Sequence, residues 1–215
     1  MNQLSTGAFN ELFRSELLRL FQLRRDVRHF RTDPISSDQL HRLVRAARLA
    51  PSVGLSEPWR LVSVASKEMR ALVSSEFEAS NREAAKGYSS EVRDQYSQLK
   101  LAGLQEAPVH LAVFVDSQTT QGRGLGHQTM PESLEYSVVA AIQNFWLAAR
   151  AEGIGVGWVS IFRPDRVTAI LQCPSEWRLV AYLCIGYPIE DHETPELERL
   201  GWEHRDKKEE AWLIR

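Results

Sequence analysis

The sequence predicts one layered domain of the α/β or α+β class, with helices packed on a central sheet. Runs of apolar residues spaced three or four apart alternate with short runs rich in β-branched residues, which is the order of a layered domain. The chain has 215 residues, of which 43% are hydrophobic and 25% charged, the length and composition of one ordinary globular domain. We therefore expect residues 1–215 to form a single domain without internal repeats.

Two helices are expected at the start of the chain. The first is predicted by an apolar stripe and should end near Leu23. The second begins with Ser36 and Gln39 in capping-box spacing and stops before Pro51, which places residues 50–58 in a loop. The stripe of the first helix consists of Phe9, Phe13, Leu17, Leu20 and Phe21.

A long helical excursion separates the first two predicted strands. Residues 61–65 and 109–115 are rich in β-forming residues. Residues 67–107 between them are polar and contain no proline, which predicts two helices broken near residues 87–90. An excursion of this length is either a flap over a site or surface helix, and composition favours neither.

The second half of the chain predicts a buried helix followed by strand, helix and strand. After a glycine-rich loop, a helix over about residues 131–151 has a fully apolar face, and Gly153 supplies its stop. Residues 156–162 and 179–185 are expected to be strands, with a helix at about 164–171 between them.

Charge and cysteine content exclude several functional classes. The 26 basic and 28 acidic residues give a formal net charge of -2, which provides no overall attraction to nucleic acid or to anionic membranes. No stretch reaches the roughly 20 apolar residues that cross a bilayer, and the start of the chain lacks a secretory signal. No spacing of histidine or cysteine matches a metal site. We expect a cytoplasmic protein without metal, in which Cys173 and Cys184 are reduced core thiols.

The densest local charge lies where the first helix should end. Arg24, Arg25, Arg28 and Arg31 fall within eight residues. Cations at a helix C-terminus complement the helix dipole, which accounts for one or two of them. Arg24 and Arg28 would be neighbours if the helix continued, and planar guanidinium groups suit a phosphate monoester. We therefore predict an anion site here.

Asp26, inside this cluster, has two interpretations. It is either the neutralising partner of the arginines, which would keep it ionised, or a general acid or base beside a phosphorylated ligand. Further along, the glycines at 153, 155 and 157 would permit something flat or large to approach the backbone closely. Ser160 would be an unusual polar residue in a buried strand, unless its hydroxyl simply bonds a neighbouring carbonyl.

Three segments together resemble the nitroreductase superfamily. They are residues 24–28 (RRDVR), residues 50–59 (APSVGLSEPW) and residues 143–162 (QNFWLAARAEGIGVGWVSIF), and the resemblance runs from about residue 17 to residue 202. It implies an α+β nitroreductase-like fold with a central mixed sheet flanked by helices. Ordinary members usually carry serine where this chain has Asp26, and a different residue at Ser160. The pair is instead similar to a branch that consumes reduced FMN.

The resemblance implies how FMN is bound. Arg24, Arg25 and Arg28 would hold the phosphate and the ribityl chain, while Ser52 and Gly54 would line the flavin. The strand that ends in Ser160 would reach the N5 edge of the ring. The further flavin-binding positions that the resemblance implies are Asp26, Val27, Leu101, Trp158 and Val159.

The resemblance also implies a reaction. In the branch concerned, reduced FMN is a substrate, dioxygen is the co-substrate, and the ring system is cut into dimethylbenzimidazole and erythrose 4-phosphate. Asp26 and Ser160 would support this fragmentation. A separate flavin reductase would supply the reduced FMN.

A homodimer with sites at its interface is the implied assembly. Residues 67–107 would form the flap, with Leu101 beneath the flap of the partner subunit. Residues 187–215 would form a C-terminal arm on the partner, because a monomer would have trouble burying Trp202 and Trp212.

Two rival functions remain open. One is a conventional NAD(P)H-dependent FMN nitroreductase or deiodinase-like reductase, against which Asp26 argues. The other is a non-catalytic FMN-binding protein. Gly87, the loop at residues 124–133 and the short tail after Trp202 depart from the superfamily pattern, and they concern flap closure and phosphate contacts rather than Asp26 or Ser160.

Overall fold

Helices cover both faces of a four-stranded sheet in a computed structural model of the chain, which describes residues 7–206. The expected α+β class is confirmed. The strands lie in the order β1-β2-β4-β3, and they are β1 (Trp59–Ser63), β2 (Val109–Asp116), β3 (Gly155–Val159) and β4 (Trp177–Gly186).

The expectation of a mixed sheet is wrong for these strands. All three pairings, β1 with β2, β2 with β4 and β3 with β4, are antiparallel. The helical excursion between β1 and β2 returns the chain to the end of the sheet at which β1 finished, so the crossover expected for a parallel pair is not made. Within residues 7–206 the parallel contact is an isolated bridge between Asp26 and Val156.

The helices follow the predicted order closely. Asn10 caps the first by accepting a hydrogen bond from the Phe13 N–H at 2.8 Å, and Ser36 and Gln39 form the predicted capping box of the second. The excursion is two helices, as predicted. The described helices are α1 (Glu11–Leu23), α2 (Ser37–Ala47), α3 (Lys67–Ala85), α4 (Ser90–Ser97), α5 (Ser133–Ala151), α6 (Pro164–Ile170) and α7 (Glu196–Arg199), with a 3₁₀ turn at Val53–Leu55.

Alternate residues of β2 enter two separate cores. Leu111, Val113 and Val115 pack under α2 and α5, whereas Ala112 and Phe114 pack on the opposite face with residues of α3 and α6. Because both faces are covered, residues 111–115 of the strand are all apolar. The cysteines are free, as expected: Cys184 is buried in the second core and Cys173 is half-buried at its edge.

α1 lies outside these cores. It contacts α5, but none of its residues is buried in the described chain. Its exposed apolar side chains, together with the residue before the cap, are Phe9, Leu12, Phe13, Leu17, Leu18 and Phe21. The predicted stripe therefore exists and faces away from this chain's own core.

The C-terminal segment returns to the body of the same chain. The Arg31 N–H donates to the Tyr187 carbonyl at 2.8 Å, and the Ile189 N–H to the His29 carbonyl at 3.1 Å. Trp202 packs against Tyr88 and Tyr96, with ring centroids 5.7 and 6.0 Å away. Trp202 therefore finds an aromatic surface at α4 and at Tyr88, shortly before that helix in the same chain, where it is half-buried, and a C-terminal arm on a partner stays a prediction.

Trp212, the other indole of the predicted arm, lies outside the described residues. Among residues 7–206, none of the helices is both long and apolar enough to span a membrane.

Candidate active site

The segment that follows α1 lies along β3. The Val27 N–H donates to the Val156 carbonyl at 3.0 Å, and the Trp158 N–H donates to Asp26 Oδ1 at 2.8 Å. A Cβ on Gly157 would stand 2.1 Å from the Val27 carbonyl oxygen, so only glycine permits this approach. The close approach expected at the glycine run is present at Gly157, and what approaches there is the chain's own backbone.

Asp26 is a part-buried carboxyl, with its side chain 33% exposed, and it has donors on both oxygens. In addition to the Trp158 N–H on Oδ1, Arg28 reaches Oδ2 with Nε at 3.3 Å and Nη2 at 3.2 Å. Burial raises the pKa of Asp26, and the Trp158 N–H and the Arg28 guanidinium oppose that shift. The ion pair with Arg28 agrees with the first interpretation of Asp26, while the raised pKa shows that burial outweighs the neighbouring cations, so both interpretations stay open. A carboxyl with a raised pKa is better suited to exchange protons near neutral pH.

The arginine cluster is not helical. α1 ends at Leu23, and Arg24 is extended, with φ -66° and ψ 126°. Arg24 and Arg28 are therefore not neighbours on a helix, contrary to the spacing argument. The Arg24 guanidinium lies over the Trp146 ring, 4.8 Å from its centroid, and the Trp146 Nε1–H donates to the Arg25 carbonyl at 3.1 Å. Trp146 on α5 thus holds this turn of backbone in place.

Of the arginines in the cluster, Arg25 has the surroundings that a bound anion would stabilise most. It donates to the Arg24 carbonyl at 2.6 Å and to the Glu193 carbonyl, but its Nε is buried without a partner among residues 7–206. Burial lowers the pKa of Arg25, and so do the nearby charges of Arg205, Arg24 and Arg150. A bound phosphate would offset this excess of positive charge.

A cavity of about 330 Å³ opens at this cluster. One wall is residues 25–29, a second is α5 with Trp146 and Arg150, and the third is the C-terminal segment with Asp191 and Arg199. Arg150 donates to Asp191 at 2.5 Å across the mouth. The volume falls within the range of small-molecule sites, and the walls combine cationic, apolar and carboxyl groups.

Four of the predicted positions line this cavity, namely Arg25, Asp26, Val27 and Arg28. Trp158 does not line it but contacts Asp26 through its backbone, as described above. Val159 points into the second core and is buried. Ser160 is exposed beyond the end of β3. The predicted strand at residues 156–162 therefore ends early, and the expectation of Ser160 inside a buried strand is wrong.

Ser52, Gly54 and Leu101 lie away from the cavity within this single chain. The Ser52 hydroxyl accepts the Glu57 N–H at 3.1 Å. Gly54 has φ +57°, and a Cβ there would stand 2.7 Å from the Leu125 carbonyl oxygen, so its role here is a tight contact between loops. Leu101 is tethered indirectly, since Arg28 Nη1 donates to the Lys100 carbonyl at 3.2 Å.

Sequence reasoning missed Trp146, Arg150 and the wall made by the C-terminal segment. The two α5 residues are four apart and so share one helix face, which was a usable signal within a correctly predicted helix. That this face meets residues 24–28 depends on long-range packing. Among residues 7–206 no group of histidine, cysteine and carboxylate side chains is arranged to hold a metal ion.

The profile of the nitroreductase family matches residues 22–187. The chain belongs to the nitroreductase family. Two relatives within that family are named 5,6-dimethylbenzimidazole synthase. The protein of Rhodospirillum rubrum is 55% identical, over 92% of this chain and 93% of the relative. That of Rhodobacter capsulatus is 43% identical, over 91% and 94%.

Solved structures of the nitroreductase family share the fold. An iodotyrosine deiodinase bound to FMN and 3-iodo-L-tyrosine has a TM-score of 0.71 at 22% identity, over 93% of this chain and 97% of that one. A BluB-like flavoprotein from Clostridium difficile 630 has a TM-score of 0.68 at 20% identity, over 93% and 99%. The expected nitroreductase-like fold is confirmed.

Proposed function

We propose that this protein is a 5,6-dimethylbenzimidazole synthase, with reduced FMN as substrate and dioxygen as co-substrate, and with release of erythrose 4-phosphate. The observation that carries the proposal is Asp26, a part-buried carboxyl with a raised pKa beside an arginine-lined cavity, in a chain 55% identical to a relative of that name. Serine is usual at this position in ordinary nitroreductases, and serine cannot exchange a proton near neutral pH.

The cavity residues fit FMN. Arg25 has a buried Nε without a partner among residues 7–206, and the nearby charges of Arg24, Arg150 and Arg205 favour a phosphate at this end. Trp146 and the neighbouring aliphatic side chains offer an apolar wall for a ring system. When bound in its reduced form, FMN supplies the ring that dioxygen oxidises.

The proposed work of Asp26 is proton transfer. The Trp158 N–H and the Arg28 guanidinium fix both carboxyl oxygens, so the group has one orientation. Its pKa, raised by burial, allows it to give and take a proton more readily than an exposed aspartate. Ser160, two residues after Trp158, would assist as a hydroxyl donor or acceptor.

The proposed assembly is a homodimer that acts in the cytoplasm. The apolar residues of α1 are exposed in the single chain, and a second copy would cover such a surface. Ser52, Gly54 and Leu101, which lie away from the cavity in one chain, would then contribute from across the interface. A separate flavin reductase would supply reduced FMN.

The decisive test is product formation from isotope-labelled FMN. Protein is mixed with chemically reduced, ring-labelled FMN in air, and dimethylbenzimidazole is sought by mass spectrometry, with anaerobic and protein-free controls. Labelled product that requires protein and air supports the proposal. Steady NAD(P)H oxidation with the flavin intact would instead indicate a conventional reductase, and binding without either reaction would indicate an FMN carrier.

A further inference from the structure

Ser160 lies in a short loop rather than in the sheet. β3 ends at Val159 and α6 begins at Pro164, so residues 160–163 are outside the ladder of strand hydrogen bonds. The Phe162 N–H donates to the Ser160 carbonyl at 3.0 Å and closes the turn. The ladder therefore does not fix the position of the Ser160 hydroxyl, and other contacts must do so.

Glu76 on α3 binds this loop through hydrogen bonds to Arg163. The carboxylate accepts hydrogen bonds from Arg163 Nε at 2.8 Å, from Arg163 Nη2 at 2.7 Å and from the Arg163 backbone N–H at 3.4 Å. The Ser80 hydroxyl adds a fourth donor at 3.0 Å. This bidentate guanidinium–carboxylate pair, with the added backbone hydrogen bond, fixes both the side chain and the main chain of Arg163.

The carboxylate of this pair is buried, whereas its guanidinium partner lies at the surface. The side chain of Glu76 is 5% exposed, whereas that of Arg163 is 58% exposed. The Arg163 hydrogen bonds lower the pKa of Glu76 to about 2. Without Arg163 the buried carboxylate would keep, among residues 7–206, only the Ser80 hydroxyl as a side-chain donor, so its contacts favour holding the loop against α3.

A second contact lies directly beside the first. Phe77, the next residue of α3, meets the edge of Phe162, with ring centroids 6.0 Å apart. Phe162 also packs on Tyr182 of β4 at 5.6 Å. Two consecutive residues of α3 thus hold two consecutive residues of the loop, and the loop cannot shift without disturbing both.

We propose that Glu76 is a positioning residue that fixes Ser160 through Arg163. The inference rests on the proposed function, because it requires that Ser160 act on the flavin. Glu76 holds the loop that follows β3, whereas Asp26 is held by β3 itself through the Trp158 N–H. Without the Glu76 carboxylate, reduced FMN is still bound and oxidised by dioxygen. A larger share of it then returns to oxidised FMN and a smaller share becomes dimethylbenzimidazole.

The test is a double-mutant cycle of Glu76→Gln and Ser160→Ala, with Glu83→Gln as the matched control on the exposed face of α3. The readout is dimethylbenzimidazole formed per reduced FMN oxidised. We expect a loss of about tenfold for Glu76→Gln, no loss for Glu83→Gln, and no further loss when Glu76→Gln is added to Ser160→Ala. A loss of equal size in both backgrounds, or no loss, overturns the proposal.

Hydrogen exchange provides a readout independent of activity. In Glu76→Gln the amides of residues 160–163 should exchange faster while the Trp158 amide keeps its protection, and Arg163→Lys should show a smaller version of the same change. Unchanged protection of the loop overturns the positioning role even if the wild-type protein forms no product. A further outcome is a wild type that forms no product while the loop of Glu76→Gln exchanges faster. That result would count against the proposed function, and with it against any role of Glu76 in the reaction.

Discussion

Asp26→Asn is expected to bind oxidised FMN with nearly wild-type affinity and to form little dimethylbenzimidazole. The amide can still accept the Trp158 N–H but cannot exchange a proton near neutral pH. General acid–base assistance is worth about 10²- to 10⁴-fold, so product formation should fall by that order. Asp33→Asn, which alters an exposed carboxylate, is the control. Product at the wild-type level from Asp26→Asn would show that this carboxyl transfers no proton.

Arg25→Ala is expected to weaken FMN binding by about 1.5 to 3 kcal/mol, the range for a lost charge-assisted hydrogen bond. Riboflavin, which lacks the phosphate, should lose much less affinity, since the unpartnered Nε of Arg25 has nothing to bind in it. Titration calorimetry with both ligands measures the difference. Arg31→Ala, at an exposed arginine paired with Asp33, should leave both affinities unchanged. Equal losses for the two ligands would assign Arg25 a purely structural role.

These residues also show how far the sequence predicts the site. The arginines and Asp26 were predictable because their charge density exceeds what a helix end requires, and that signal is local. Trp146 was not, since its contact with Arg24 depends on how α5 packs against the end of α1. The raised pKa of Asp26 was not predictable, because the desolvation that causes it cannot be read from neighbouring letters.

At the scale of elements, Gly157→Ala should move residues 26–28 away from β3. A Cβ there would stand 2.1 Å from the Val27 carbonyl oxygen. Overpacking of this kind costs about 1 to 3 kcal/mol, or a fall in Tm of about 2 to 10 °C, and it should lower product yield by displacing Asp26. Gly87→Ala is the control, because its Cβ would meet the Ala84 carbonyl oxygen at an ordinary 3.4 Å. An unchanged Tm and yield for Gly157→Ala would contradict the tight approach.

The ion pair between Glu76 of α3 and Arg163, the residue before α6, should make the free energy of unfolding depend on pH in the acid range. The pKa of Glu76 is lowered from 4.5 to about 2, so its contribution is complete above about pH 4.5 and is lost as pH falls through about 2. The free energy of unfolding of the wild type should exceed that of Glu76→Gln by about 1 to 2 kcal/mol at pH 7, since solvent screens the exposed Arg163, and the difference should shrink between pH 4.5 and 2. Urea unfolding at several pH values measures it. A difference independent of pH would exclude an ionised Glu76 as its source.

Elements were predicted well where the pattern was long, and less well where a single hydrogen bond decided their end. The two helices of the excursion and the caps of α2 follow from local chemistry. β3 stops at Val159 although apolar Ile161 and Phe162 follow Ser160, and in the structure this loop is bonded to α3 through Arg163 and Glu76. The glycine run was detected, yet its partner proved to be Val27, which is more than a hundred residues away in sequence.

At the scale of the molecule, we predict a dimer that depends on α1. Leu18 is 61% exposed, and a second copy would bury it with its neighbours. Leu18→Glu should therefore convert a dimeric mass to a monomeric one at micromolar concentration and weaken FMN binding if the site is shared. Sedimentation velocity measures the mass. Leu72→Glu, at an exposed apolar residue of α3, should remain dimeric. A monomeric wild type would refute the shared site.

β3 is the last strand of the sheet, and its outer side would be open but for residues 26 and 27, which lie along it. Unpaired edge strands are where chains add to one another in aggregates. Residues 26 and 27, which include the proposed acid Asp26, therefore also cover the outer edge of β3. Variants that detach these residues should lose solubility as well as activity, and selection for a soluble protein would then help to conserve the geometry of the acid.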